Sequence, residues 1–477
     1  MDKGIFINNE WSDYGLEKVE VVNPATGERV GTVPRGGKKE ARMAIDAAHE
    51  AFPSWSNLTA YDRASYLEKL HDLMLEHEDE LAKLMTEEMG KPLKESKGEV
   101  QYAASFLKWF AEEGKRVYGR TIPASKENKR MQVNKQPVGV VGAITPWNFP
   151  AAMITRKLGP ALAAGCTFVV KPPNETPLTA VRLVELCQEA GIPKGVVNIV
   201  SGKSSEIGEE LLSNPKVRKV TFTGSTEVGK LLMKQGAEQV KNMSLELGGH
   251  APIVVLDDAD IKYAAEQTVA SKFRNGGQTC ICGNRIYVQE KIYDEFIEEV
   301  VAITEKLKVG NGLDDETDIG PMINKDAYEK VEKHVQNAIK QGAKCVVGGK
   351  GQEAANGTYY YEPTVLIDVE PSMLIMNEET FGPVAPIQKV KTDVEAVKYA
   401  NMTPYGLAAY VFSEHYSRGL KVVEAINYGI VGWNDGVPSA AQAPFGGMKQ
   451  SGLGREGGIE GIEEYLETKY ISIGLKE

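Results

Sequence analysis

Cys280 stands in the stretch Asn275-Gly276-Gly277-Gln278-Thr279-Cys280-Ile281-Cys282, after a helical pattern and before the strand signal at Ile286. Two glycines just upstream let backbone and ligand approach the sulfur closely, an access that an inert core cysteine does not need. On that setting alone, nucleophile and buried filler stay equally open for Cys280. Cys166, Cys187 and Cys345 sit within apolar patterns and read as filler. The C-x-C pair also suggests a metal, but zinc asks for about four ligands. None of the six histidines falls near this loop, so no metal is expected. Glu246 lies in Ser244-Leu245-Glu246-Leu247-Gly248-Gly249-His250, a carboxylate on an alternating strand that ends in two glycines. Such a carboxylate is either a solvated outward face, the commoner case, or a base tuned by burial. His250 reads as structural.

Polar and glycine-rich residues also collect at strand ends, where open parallel sheets bind ligands. Thr145-Pro146-Trp147-Asn148-Phe149-Pro150 follows the β-rich run Val138–Ile144. Lys171-Pro172-Pro173-Asn174 follows Phe168–Val170, and Thr223-Gly224-Ser225-Thr226-Glu227-Val228-Gly229 follows Val220–Phe222. In the last of these, Gly224 turns a strand into a helix whose first turn carries Ser225 and Thr226, so unpaired N–H groups and a hydroxyl suit a pyrophosphate. Only two glycines fall in the frame, so this is not a G-x-G-x-x-G fingerprint, and an ordinary capped helix start fits it too.

The elements that must position these residues alternate in type. From Lys38 to Glu50 and from Asp62 to Met89 apolar residues recur every three or four positions, which predicts a helical layer through about residue 117. Between Gln136 and Gly249, the runs Val138–Ile144, Thr167–Val170, Val196–Val200 and Val217–Phe222 are separated by helical stretches at Leu178–Ala190 and Glu227–Gly236. That alternation predicts a parallel sheet of right-handed βαβ units. A second such stretch starts at Pro252–Leu256 and runs through Ala264–Arg274, Ile286–Val288, Tyr293–Leu307, Lys344–Val347 and Ala385–Lys389 to Tyr410–Phe412. Arg120–Val133 and Tyr465–Gly474 are isolated strand-like arms that belong to neither core, so they would pair with each other or with another subunit.

Composition narrows the class. The chain has 477 residues, and 55 Lys+Arg against 66 Asp+Glu leave a net charge of −11. At ~150 residues per domain this predicts two or three domains with a core that needs no staples. An acidic balance without a basic block argues against nucleic acid and anionic membranes as partners. Five cysteines, odd in number and sparse, argue for a reducing compartment. The N-terminus carries no long apolar run, and the longest one, Ala161 to Val170, stops at Lys171 after roughly half a membrane span. A cytoplasmic enzyme is the expectation.

Seven segments then fall together. Asn23-Pro24-Ala25-Thr26-Gly27, Pro146-Trp147-Asn148-Phe149-Pro150, Phe222-Thr223-Gly224-Ser225, Leu245-Glu246-Leu247-Gly248-Gly249, Gly277-Gln278-Thr279-Cys280, Glu378-Glu379-Thr380-Phe381-Gly382-Pro383 and Pro444-Phe445-Gly446-Gly447 resemble, in order and spacing, the motifs of the aldehyde dehydrogenase superfamily. The resemblance spans essentially the whole chain and is greatest to the succinate-semialdehyde dehydrogenases. It implies an α/β protein with two parallel-sheet domains, a Rossmann-like NAD(P)-binding domain at 1–117 plus 137–247 and a catalytic domain at 248–456. A small β oligomerisation arm at 118–136 and 457–477 would make a homodimer or homotetramer.

The resemblance also implies roles. Cys280 would attack the aldehyde, Asn148 and the Cys280 N–H would hold the oxyanion, and Glu246 would activate the water that hydrolyses the thioester. CoA-acylating relatives lack that base. Ser225 (pyrophosphate), Lys171 (adenosine ribose), and Glu379 and Phe381 (nicotinamide ribose), together with Trp147, Asn174 and Gly224, would bind the cofactor. NAD-selective members carry a Glu three residues after the lysine, where this chain has Asn174 followed by Glu175. Loss of that repulsion, with Lys171 free to pair with a 2′-phosphate, makes NADP the expected preference with NAD usable. Arg156, Arg274 and Ser439 match the residues that hold a substrate carboxylate, so a short ω-carboxylated aldehyde, succinate semialdehyde first, is the expected substrate. A surface salt bridge is the alternative for each arginine. Cys282 is either a passive small residue or a redox partner of Cys280. Rival functions are oxidation of glutarate or 2-oxoglutarate semialdehyde or of plain aliphatic aldehydes. A non-catalytic scaffold is opposed by the intact constellation.

Overall fold

A computed structural model describes residues 3–476, so residues 1, 2 and 477, at the outer ends of the expected domain and arm boundaries, lie outside the described residues. Short β-branched runs pair into two sheets. The first has eight strands in the order Glu10–Trp11, Ile5–Ile7, Val197–Val200, Thr167–Lys171, Val140–Ile144, Val217–Thr223, Asn242–Glu246, Gly452–Leu453. Its inner five strands are parallel, as the alternation predicts, and its outer strands are antiparallel. The antiparallel edges escape the sequence reading because strands of two or three residues carry no detectable period. The second sheet has seven strands: Lys344–Val347, Thr364–Ile367, Val384–Val390, Gly283–Gln289, Ala251–Val255, Ala408–Phe412, Ile430–Trp433. All pairs are parallel except that of Lys344–Val347. The two α/β sheets with flanking helices are the expected fold class.

Order within the first sheet decides where a ligand goes. Chain progression runs outward from Val140–Ile144 through Thr167–Lys171 to Val197–Val200, then returns to the other side as Val217–Thr223 and Asn242–Glu246. Connections therefore leave in opposite directions at the ends of Val140–Ile144 and Val217–Thr223, opening a crevice there. Ladder register aligns Ile144 with Phe222 and with Lys171, and Thr223 with Glu246. All three chemistry-bearing strand ends, and Glu246, thus open at one edge.

The helical run at Asp62–Met89 is two helices, Ala60–Glu76 and Glu78–Met89, broken at His77. The helix Leu93–Glu113 packs on Ala152–Ala164 across the first sheet, burying Phe106, Leu107 and Phe110. The orphan arms pair with each other: Leu466–Gly474 runs antiparallel to Lys129–Pro137 over nine residues, and Arg120–Ile122 adds a third strand. Tyr470 and Ile473 on this sheet are exposed. Gly452–Leu453, within the stretch expected to be catalytic domain, instead closes the edge of the first sheet against Glu246.

Candidate active site

The loop before Cys280 explains its glycines. Asn275, Gly276 and Gly277 are left-handed in succession, at φ 52°, 60° and 71°. A Cβ on Gly277 would stand 2.1 Å from the Gly382 carbonyl oxygen, so only glycine fits there. The chain thereby doubles back into the crevice and presents Cys280. Burial pushes its thiol up to about 12, with Arg156 opposing and Glu379, Glu246 and Cys282 adding to the rise. The resting sulfur is a thiol, and its proton must leave as it attacks.

Asn148 is held from both sides. Its side-chain Nδ2 donates to the Gln278 carbonyl at 3.0 Å, while its own carbonyl accepts from Lys91 Nζ at 2.6 Å and Asn275 Nδ2 at 3.0 Å. Lys91 is fully buried and paired with Glu99 at 2.6 Å. The other oxygen of Glu99 accepts the N–H groups of Ala151 and Ala152, at 2.9 and 3.1 Å, where the next helix starts. Gln278 accepts from the Ile323 N–H and donates to the Pro321 carbonyl. The Asn148 amide and the Cys280 loop are thus parts of one hydrogen-bonded frame. Lys91 and Glu99 were not singled out from sequence, since nothing in their local pattern marks them, and Asn275 and Gln278 stood in the quoted cysteine stretch without a role of their own.

Glu246 is 3% exposed, and neither carboxylate oxygen has a hydrogen-bond partner, which rules out the solvated face. Burial raises its pKa well above the ordinary value; Glu456 raises it further, and Arg156, Lys157 and Arg455 oppose. Gly446 makes room for it: a Cβ there would lie 2.8 Å from Glu246 Oε1. Glu456, buried alongside, pairs with both Lys157 and Arg156, the latter Nε to Oε2 at 2.8 Å. Lys157 also donates to Thr223 Oγ1 at 2.5 Å.

A cleft of about 260 Å³ joins these groups; Trp147, Asn148, Arg156, Glu246, Cys280 and Glu379 line it, along with Gly224, Ser225 and Phe381. Ser225 caps the helix Thr226–Gly236, its Oγ accepting from the Val228 N–H at 3.3 Å. Glu379 accepts the Gly249 N–H at 3.1 Å, and burial pushes its carboxyl up to about 7. Gly248 leaves Glu379 space, since a Cβ there would be 3.1 Å from Oε2. Phe381 meets Trp147 edge to face at 5.7 Å and holds a left-handed φ of 56°. That conformation costs a non-glycine residue ~1–3 kcal/mol and clusters at ligand sites. Lys171 and Asn174 do not line this cleft. They sit farther along the sheet edge, Lys171 Nζ donating to Asn174 Oδ1 at 3.1 Å. Burial pulls Lys171 down to about 8, with Glu175 opposing. An open helix start, a lysine without a bound acid and a carboxylate over glycines fit a dinucleotide.

Arg156 is 2% exposed, so it is not a surface salt bridge. It lies on the helix Ala152–Ala164, which begins after Asn148. Arg156 reaches the cleft by stacking 3.8 Å from the Phe445 ring centre. Its Nη2 has no hydrogen-bond partner. Arg274 follows the helix Ile261–Phe273 and lies 5.0 Å over Phe149, outside the cleft lining. Ser439 also lies outside that lining, with a buried Oγ that makes no hydrogen bond. Cys282 is buried; its sulfur accepts from Lys272 Nζ at 3.6 Å and donates to the Gly277 carbonyl at 3.3 Å. All five cysteines are unpaired. His250 is fully buried, and burial pulls its pKa well down, in keeping with a structural role. No described helix is long and apolar enough to cross a membrane.

The family model described as "Aldehyde dehydrogenase family" matches residues 11–471. The chain is 54% identical over 470 residues to the NADP(+) succinate-semialdehyde dehydrogenase GabD of Escherichia coli strain K12, covering 98% of this chain and 97% of that protein. It is 53% identical to a glutarate-semialdehyde dehydrogenase of Pseudomonas putida, covering 98% and 97%. A crystal structure of an NADP-dependent enzyme from E. coli superposes with a TM-score of 0.97 at 54% identity, covering 99% of this chain and 98% of the other.

Proposed function

The chain belongs to the aldehyde dehydrogenase family, and we propose that it oxidises short ω-carboxylated aldehydes, succinate semialdehyde first, to the dicarboxylate with NADP preferred over NAD. Relatives named for succinate and for glutarate semialdehyde support this substrate class. One observation carries it: a buried guanidinium, Arg156, in the cleft shared by Cys280, Asn148 and Glu246. Glu456 is one acid against two buried cations, Arg156 and Lys157. A buried charge left uncompensated is costly, so the cleft favours an anionic guest.

The residues do the chemistry in order. Cys280 Sγ bonds to the aldehyde carbon as its proton passes to a base, and Glu246 is the acid–base group in the cleft. Asn148 Nδ2 and the Cys280 N–H donate to the oxygen that gains charge. Trp147, Gly224, Ser225, Lys171, Asn174, Glu379 and Phe381 would hold NAD(P), which would supply the hydride acceptor, and the acyl group stays on Cys280 as a thioester. Glu246 then takes a proton from water, whose oxygen bonds to the acyl carbon and releases the thiol. Its raised proton affinity is what a base near neutral pH needs. Arg156, Arg274 and Ser439 hold the far carboxylate. The contacts of Cys282 with Lys272 and Gly277 support packing behind the loop rather than a redox switch.

Cofactor domain (1–117 and 137–247), catalytic domain (248–456) and arm (118–136 and 457–477) are assigned on the same resemblance. The exposed three-stranded arm supports a dimer or tetramer, which light scattering on a chain lacking residues 465–474 tests. Unpaired cysteines support a cytoplasmic location. The deciding experiment is a panel of succinate semialdehyde, glutarate semialdehyde and butanal with NAD and NADP, plus mass spectrometry of Glu246→Gln. A preference for butanal, or no acyl adduct on that variant, overturns the reading.

A further inference from the structure

Tyr102 lies on the helix Leu93–Glu113, the same helix that supplies Glu99 to the Asn148 frame. Its ring packs against Phe106 at 4.9 Å, and Phe106 in turn lies 5.7 Å under the Arg156 guanidinium. Its hydroxyl sits beside Ser439, and the charges of Arg156 and Arg274 both act on it. Arg156 arrives from the helix after Asn148, Arg274 from the turn before Cys280, and Ser439 from a late loop, so Tyr102 is where three distant segments meet. Arg156 Nη2 and Ser439 Oγ are buried there without hydrogen-bond partners. An unpartnered guanidinium nitrogen beside two hydroxyls, with the Arg274 charge acting on the same spot, suits a carboxylate, whose two oxygens present roughly four lone-pair sites.

We infer that the Tyr102 hydroxyl is a fourth ligand of the substrate's far carboxylate, donating a hydrogen bond next to Arg156, Arg274 and Ser439 and so setting selectivity for ω-carboxylated over neutral aldehydes. This rests on the carboxylate reading of the site. Burial raises the phenol's pKa against the two arginines, so it stays a donor at neutral pH.

Tyr102→Phe removes the donor and keeps the ring. Hydrogen bonds to charged groups predict a fall of roughly tenfold to hundredfold in the ratio of kcat/KM for succinate semialdehyde to that for butanal. Succinate, tested as an inhibitor of butanal oxidation, should weaken by a similar factor, and Ser439→Ala should show the same bias more weakly. If Tyr102→Phe lowers both aldehydes equally, or leaves the ratio and succinate inhibition unchanged, the inference is wrong while the carboxylate reading stands. If the wild-type enzyme itself prefers butanal, both fall together.

Discussion

At the thiol end of the cleft every buried cation is tied to an acid or a carbonyl: Lys91 to Glu99 and Asn148, Lys157 and Arg156 to Glu456. At the ribose end Lys171 has only the Asn174 amide and an exposed Glu175 beyond it. The first arrangement fixes geometry, because moving any one group leaves another buried charge unpaired. The second fixes little and is open to adjustment by single side chains. Chemistry is therefore built into a rigid frame here, and cofactor choice is left to one adjustable pair.

The largest test breaks the rigid end. Asn148→Ala removes an oxyanion donor and should cost ~100-fold to 1000-fold in kcat. A loss confined to KM would mean Asn148 only binds substrate. Next, Arg156→Ala or Arg274→Ala should lower the succinate semialdehyde to butanal ratio of kcat/KM by about tenfold to hundredfold. Equal losses on the two aldehydes would return both arginines to a structural role. At the adjustable end, Asn174→Glu restores a carboxylate beside the ribose, and steady-state kinetics should show about tenfold loss of selectivity for NADP over NAD. An unchanged ratio would show that Glu175 already supplies the repulsion. The smallest effect is in pH. Lys171 carries its charge below about 8 and loses it above. The NADP to NAD ratio of kcat/KM should therefore fall as pH rises through that value, and a flat ratio would remove Lys171 from the phosphate site.

Strand ends and glycine punctuation are legible in one dimension, and so was the parallel core of each sheet, whereas the local pattern left Cys280 and Glu246 open and only the resemblance singled them out with Asn148. What was not legible is convergence. Lys91 meets the Asn148 carbonyl across 57 residues, and Lys157 meets Glu456 across 299. Neither pair has a period or a motif to announce it. The same holds for Tyr102, whose helical setting reads as core and whose hydroxyl finds its neighbours only once the helices pack. The short antiparallel edges failed for another reason, since pairing partners and not propensity make them strands.

Glu456 has a consequence for how the molecule is made. Chains emerge from the ribosome N-terminus first and their domains tend to fold as they appear. The helix bearing Arg156 and Lys157 is complete long before residue 456 exists, so during synthesis two cations wait without the acid that pairs with both. Closing it prematurely would strand them, at ~3–5 kcal/mol for a buried pair missing one partner. The cleft should therefore stay wet and loose until the C-terminal segment docks, giving an all-or-none onset of activity late in folding. Fragments ending before Glu456 would be inert, however well their sheets formed.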